Sequence, residues 1–418
     1  MPVPLMYRIR QNFERPLVAD VPVEVSRQLQ QLHLSQQVRA GQTVAITVGS
    51  RGIANIALIA KAVADHVKSI GGVPVIIPAM GSHGGATTHG QRAMIESFGV
   101  TEEFTGAQIR ATMDTVVVAQ TSHGIPVHFD RHAFEADHVI VMGRIKPHTM
   151  FVGDVESGLH KMMLIGLGNH AGALTYHRAI KNYPFETIIQ SVADVVLSKC
   201  KVLAGVAIVE NAYDETALIR AVPPAEFFSQ EKALLKQAIA WMPKLPFPDV
   251  DLLIVDRIGK NISGTGMDTN IVGRKYNDHA ATERDNANCK RILVRSLTSQ
   301  SKGNACGIGI AEFTTARAVS QIDQDYTRVN CITSGHPTAG MIPLVYPNDL
   351  SAIEDALLTI GMTEPEDAKI IQIRDTLHLS EVMVSESYLR ETGVFPGGEV
   401  ISGPEPMAFD ELGQLADI

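Results

Sequence analysis

At 418 residues the chain is too long for one ordinary core, so two domains are expected. Hydrophobic residues make up 45% and charged residues 19%, which excludes a disordered chain and supplies apolar surface for two cores. The formal charge of -9 argues against a nucleic-acid binder, which would carry a basic face.

Four cysteines, Cys200, Cys289, Cys306 and Cys331, include no C-x-x-C pair, so reduced thiols are expected rather than a disulfide framework or a structural zinc site. The first residues, MPVPLMYRIRQNFERP, lack the apolar segment of a signal peptide. No apolar run approaches the ~20 residues of a membrane helix. A soluble, cytoplasmic protein without a membrane or nucleic-acid partner is the expectation.

The first clear unit is TVAITVGS (43–50), an apolar run ending in glycine and serine. A helix is expected from about Ile53 to Ile70, because Ile56, Ile59, Val63, Val67 and Ile70 recur at three- and four-residue steps. Two glycines at 71–72 stop it, and VPVIIPAM (73–80) reads as the next buried strand. This order implies a parallel sheet with a crossover helix. Further strands are expected at VVVA (116–119), HVIVMGRI (138–145) and VLAGVAIVE (202–210). Three prolines in WMPKLPFPDVD (241–251) mark a break, after which DLLIVDRIG (251–259) restarts a strand. RILVRSLT (291–298), a helix or two around 311–322, and VMVSES (382–387) follow. The fold class is therefore α/β twice over. Two α/β domains with mainly parallel sheets, 1–245 and 246–418, are expected to flank an active-site cleft.

Open α/β sheets bind ligands outside the carboxyl ends of their strands. The turns there are GSRGI (49–53), MGSHGG (80–85), GRIKPHT (143–149) and SGTGMD (263–268). His83 and His148 leave two of these strand ends, and imidazole titrates near neutral pH, so together they form a plausible acid/base pair. Taken singly, each also reads as a solvated turn residue. Arg51 offers a carboxylate bidentate geometry at a strand-to-helix turn. Lys161 precedes an apolar run, and burial there would make its amine nucleophilic; in the bland alternative it is a surface cap. His177, in ALTYHRAI, is by itself more often a packed residue. GLGNHAG (166–172) misses the dinucleotide spacing G-x-G-x-x-G, no P-loop occurs, and no H-E-x-x-H accompanies the other histidines.

In these residues the chain resembles the nickel-dependent lactate racemase family, over about Arg51 to Tyr276. Arg51 follows the first strand, His83 is flanked by glycines some thirty residues on, His148 precedes a segment ending in Lys161, and His177 lies sixteen residues beyond that lysine. The resemblance implies racemisation or epimerisation of a 2-hydroxy acid with a nickel-pincer nucleotide. It implies that Lys161 carries the nucleotide covalently, His177 ligates Ni, and His83 and His148 act as base and acid on the substrate hydroxyl. It also implies cofactor-synthesising enzymes as partners, and it leaves a homo-oligomer open.

Three departures bear on the substrate. Val48 stands where the family often has an acidic residue, and TMFVGDVESGLH (149–160) is longer than the lactate racemase pattern. In SGTGMDTNIVGRKY, Asp268 and Asn270 align, whereas Gly273 and Tyr276 replace expected substrate contacts, leaving Arg274 or Lys275 for that task. A sugar acid or dicarboxylate is therefore expected rather than lactate. A divalent-metal hydrolase or lyase, and a non-catalytic nucleotide or metal binder, are the competing readings.

Overall fold

A computed structural model describes residues 3–50, 52–390, 395 and 397–418. The chain divides into two compact units, Arg15–Met242 and Met1–Glu14 with Pro243–Ile418.

In the first unit a six-stranded sheet runs in the order Gln108–Ile109, Val73–Pro78, Thr43–Val48, His138–Arg144, Val202–Glu210 and Thr216–Val222. All neighbours are parallel except the last pair. The strands bury both faces, and the period of two sends alternate residues to different cores. Ile46, Ile76, Ile140 and Met142 join Ile59, Val63 and Val67 of the helix Ile56–Ser69 on one face. Ala45, Val75, Ile77, Val139 and Val141 meet Ile188, Val192 and Val196 of the helix Phe185–Lys199 on the other. A buried Ile→Ala change in such a layer costs about 2–5 kcal/mol. The run at 116–119 is a strand, Thr115–Gln120, but it pairs only with Pro126–Asp130 in a separate antiparallel hairpin. Its partly exposed residues explain why the main sheet excludes it.

The second unit holds an eight-stranded sheet. Leu344–Tyr346, Phe313–Thr315, Asn288–Val294, Asp249–Val255 and Ile370–Ile373 are parallel, and Glu381–Ser385, Met6–Gln11 and Gly398–Glu405 continue it antiparallel. The unit boundary thus differs from a single cut at 245/246. Met6 and Ile9 are buried, and Met6 joins the core of Leu252, Ile254 and Leu293, so the first strand belongs with the far end of the chain. The helix expected over 311–322 begins late. Thr314 and Thr315 extend the sheet, and Thr315 then caps a short helix, Ala316–Ser320, by accepting from the Ala318 N–H. No helix among the described residues is long and apolar enough to cross a membrane.

Candidate active site

Three parallel strands of the first unit, Thr43–Val48, Val73–Pro78 and His138–Arg144, end at one edge, and the loops they release carry the expected residues. The central strand connects to neighbours on either side of it, which is the switch point where open α/β sheets leave a crevice. Arg51 lies outside the described residues. Its neighbour Ser50 places Oγ 2.6 Å from Nδ1 of His83. A hydroxyl both donates and accepts, so Ser50 fits either tautomer of His83.

His148 is held differently. Its Nδ1 accepts the backbone N–H groups of Met150 and Phe151, both at 3.1 Å, which places the proton of the neutral ring on Nε2. The His148 N–H in turn donates to buried Glu156 at 2.8 Å, folding the loop back on itself. The imidazole stacks on Phe151 with ring centres 4.0 Å apart and planes within 8°.

Phe151 is the hub of the site. Lys161 Nζ lies 5.9 Å from its ring centre, within cation–π range, and the His177 ring is 6.2 Å away. Phe185 stacks on Phe151 at 3.9 Å and anchors it to the core. Phe151 is 6% exposed, so three of the four residues singled out in the sequence converge on one buried aromatic ring.

The Lys161 segment reaches this position by close packing. A Cβ on Gly143 would stand 2.9 Å from Met162 Cγ and 3.0 Å from the Gly158 backbone, so only glycine lets the segment lie against the strand end. A π-type turn, Met162–Gly166, follows, and its Gly166 carbonyl accepts from the Gly81 N–H at 3.3 Å in the His83 loop. The His83 and Lys161 segments therefore share one end of one sheet. From below, fully buried Glu231 on the helix Phe227–Trp241 accepts from the Leu159 and His160 N–H groups and bonds His160 Nδ1. It caps the turn that presents Lys161.

His177 sits in the last turn of the helix Asn169–Ala179, where a positive ring would ordinarily be favoured. Burial, and then the Lys161 ammonium, instead hold its pKa down at about 4. At neutral pH the ring is uncharged, with a lone pair available to a metal. Among the described residues no group of three or more His, Cys, Asp or Glu side chains is placed to hold a metal ion. That donor set does not suit a metal caged wholly by protein. It suits a metal that brings its own donors and takes one imidazole.

The second unit places its expected residues otherwise. Arg274 has a fully enclosed side chain paired with Glu312 at 3.2 Å, so it is an internal ion pair rather than an open substrate contact. Gly273 is required by its place: φ is +69°, and a Cβ would fall 1.9 Å from the Ala287 carbonyl oxygen. The N–H of half-buried Lys275 donates to Asp285 at 3.2 Å, and exposed Tyr276 has the Arg284 guanidinium 5.6 Å from its ring centre. Asp268 caps the turn Thr269–Val272 and holds Asn270 Nδ2 at 2.8 Å.

Residues 13–187 match the lactate racemase N-terminal domain family. The lactate racemase apoprotein of Thermoanaerobacterium thermosaccharolyticum is similar in fold, with a TM-score of 0.52 at 14% identity over 88% of this chain and 94% of that one. A Thermotoga maritima protein is similar with a TM-score of 0.50 at 12% identity, over 87% of this chain and 98% of that one. No curated protein sequence matches the chain.

Proposed function

Residues 13–187 match the lactate racemase N-terminal domain family, and from that premise we propose that the chain inverts C2 of a 2-hydroxy acid using a nickel-pincer nucleotide. The observation that supports this most is the grouping of Lys161, His148 and neutral His177 around Phe151. Lys161 would join the nucleotide covalently and His177 would supply the protein ligand to Ni. When bound, the group supplies an acceptor and donor of hydride for the α-carbon.

The chain's own residues then handle the proton. His148, with Nδ1 accepting two backbone N–H groups, presents Nε2–H as a hydrogen-bond donor to the substrate oxygen. Ser50, by donating to His83 Nδ1, leaves Nε2 of that ring protonated; by accepting, it leaves Nε2 a base. Racemisation needs the substrate hydroxyl deprotonated in either hand, and a histidine with an adaptable partner is fitted to exchange roles. Arg51 is proposed as the carboxylate anchor. Departures at Val48, Gly273 and Tyr276 favour a sugar acid or dicarboxylate over lactate.

Intact-protein mass spectrometry after co-expression with the cofactor-making enzymes tests the attachment. An adduct mapped to Lys161 is expected, and a uniformly unmodified Lys161 would overturn the reading. Inversion followed by NMR in deuterated water tests the chemistry. Inverted product without α-deuterium is expected, whereas rapid α-deuteration would show proton abstraction instead.

A further inference from the structure

In the second unit Cys306 and Cys331 are buried against one another, with Ala339 completing their enclosure. Cys306 lies in the loop before the turn Ile308–Ile310, and Cys331 lies on the helix Gln324–Thr333. The two side chains pack in one buried cluster, and the Lys260 ammonium acts electrostatically on Cys306 as well. Close by, His336 Nε2 bonds the Asp278 carboxylate at 2.5 Å, while its Nδ1 is buried without a hydrogen-bond partner. The pocket is tight on the far side too, since a Cβ on Gly340 would stand 3.1 Å from Cys331 Sγ.

We propose that Cys306 and Cys331 are a reversible redox couple, oxidised by a hydroperoxide to an intramolecular disulfide.

The two sulfurs are electrostatically unequal. Cys331 is the largest influence holding Cys306 down at about 6, with Lys260 and His336 adding to it, while Cys306 and burial push Cys331 up. Cys306 is therefore the sulfur on the thiolate side of the pair, and Cys331 is the one that keeps its proton. A thiolate is the nucleophile in such chemistry, and low-pKa cysteines beside a resolving thiol are the ones that sense oxidants. Cys200 and Cys289 are the internal contrast: burial holds both up at about 12, which leaves them as inert thiols.

The chemistry balances with hydrogen peroxide as oxidant. The Cys306 thiolate attacks one peroxide oxygen, the O–O bond breaks, and the leaving hydroxide is protonated to water, giving a sulfenic acid. Cys331 gives up its proton and attacks that sulfur, the S–O bond breaks, and the second oxygen leaves as water. Both sulfurs are oxidised, both peroxide oxygens are reduced, and a thiol reductant reverses the change.

The disulfide would tether the helix Gln324–Thr333 to a segment packed on the glycine-rich loop of the same unit. There a Cβ on Gly307 would fall 1.6 Å from the Thr265 carbonyl oxygen. This couple is independent of the substrate that the first unit takes.

Peptide mapping of the full-length protein tests it. Reduced protein is treated with hydrogen peroxide, alkylated in denaturant and digested, with and without dithiothreitol before alkylation. A Cys306–Cys331 cross-linked peptide is expected, with loss of both alkylation signals, full alkylation of Cys200 and Cys289, and recovery on reduction. In Cys331→Ser, Cys306 should instead be trapped by dimedone as the sulfenic acid. Unchanged alkylation of all four cysteines in the wild-type protein would overturn the proposal. So would Cys306 oxidised irreversibly while Cys331 stays alkylated. The wild-type map decides even if the variant fails to fold.

Discussion

The carboxyl ends of the two parallel sheets have been put to different uses. In the first unit they present imidazoles, an ammonium and an aromatic ring, with His177 kept neutral. In the second, Arg295 follows the strand Asn288–Val294 and is fully buried between Asp256 and Asp349, with Asp417 and the Leu415 carbonyl as further partners. One edge therefore holds titratable groups poised near a hub, and the other holds charges that neutralise one another. A shared architecture does not confer a shared role; the side chains at the strand ends decide it.

That contrast can be broken from either side. The largest expected effect is kinetic: His83→Ala or His148→Ala should each lower the inversion rate about 10²–10⁴-fold, measured by chiral chromatography of the product. A loss of less than tenfold in both would remove the acid/base pair from the chemistry. In the second unit the expected effect is on stability. Arg295→Met leaves Asp256 buried without its cation and Asp349 with Arg317 alone, and should cost about 3–5 kcal/mol in urea unfolding. A cost near zero would mean that the strand ends of that unit are less closed than their burial implies.

Glu231→Ala should come next, at about 1–3 kcal/mol, because it strands the buried N–H groups of Leu159 and His160. The same variant should lower the yield of modified Lys161, which intact mass reads separately from unfolding. The smallest effect is on titration. By NMR, His177 should titrate at about 4, and Lys161→Met should raise that value while leaving it below 6.5, because burial is the larger cause. With an ordinary value of about 6.5 when unfolded, the unfolded chain binds more protons between these limits. The group therefore removes stability as pH falls from 6.5 towards 4. A His177 titrating near 6.5 would show an exposed ring and weaken its reading as a ligand.

Much of this was legible along the chain because it is local. Apolar runs gave the strands Thr43–Val48, Val73–Pro78, His138–Arg144 and Val202–Glu210 within a residue or two. The order of His83, His148, Lys161 and His177 pointed to one end of one sheet. What escaped has no local signature. Phe151 sits in a segment without periodicity, and its importance comes from three partners gathered by the fold. Ser50 neighbours Arg51, and a serine beside an arginine in a glycine-rich turn gives no sign of a histidine partner 33 residues on. Glu231 is 70 residues from Lys161, and a carboxylate on a helix ordinarily reads as solvated. Arg274 failed in the opposite sense, since an arginine beside an expected site gives no sign that Glu312 encloses it.

The strand Met6–Gln11 lies between Glu381–Ser385 and Gly398–Glu405, so one sheet draws on both ends of the sequence. During synthesis, residues 15–242 have every strand of their own sheet once they have left the ribosome. Met6–Gln11, although made long before them, must wait for nearly four hundred further residues before its partners exist. The order of synthesis therefore favours a first unit that folds early and a second that closes only near the end. Over that interval an unpaired strand remains exposed to other chains, and its arginines at 8 and 10 are the kind of charge that discourages edge-to-edge pairing while it waits.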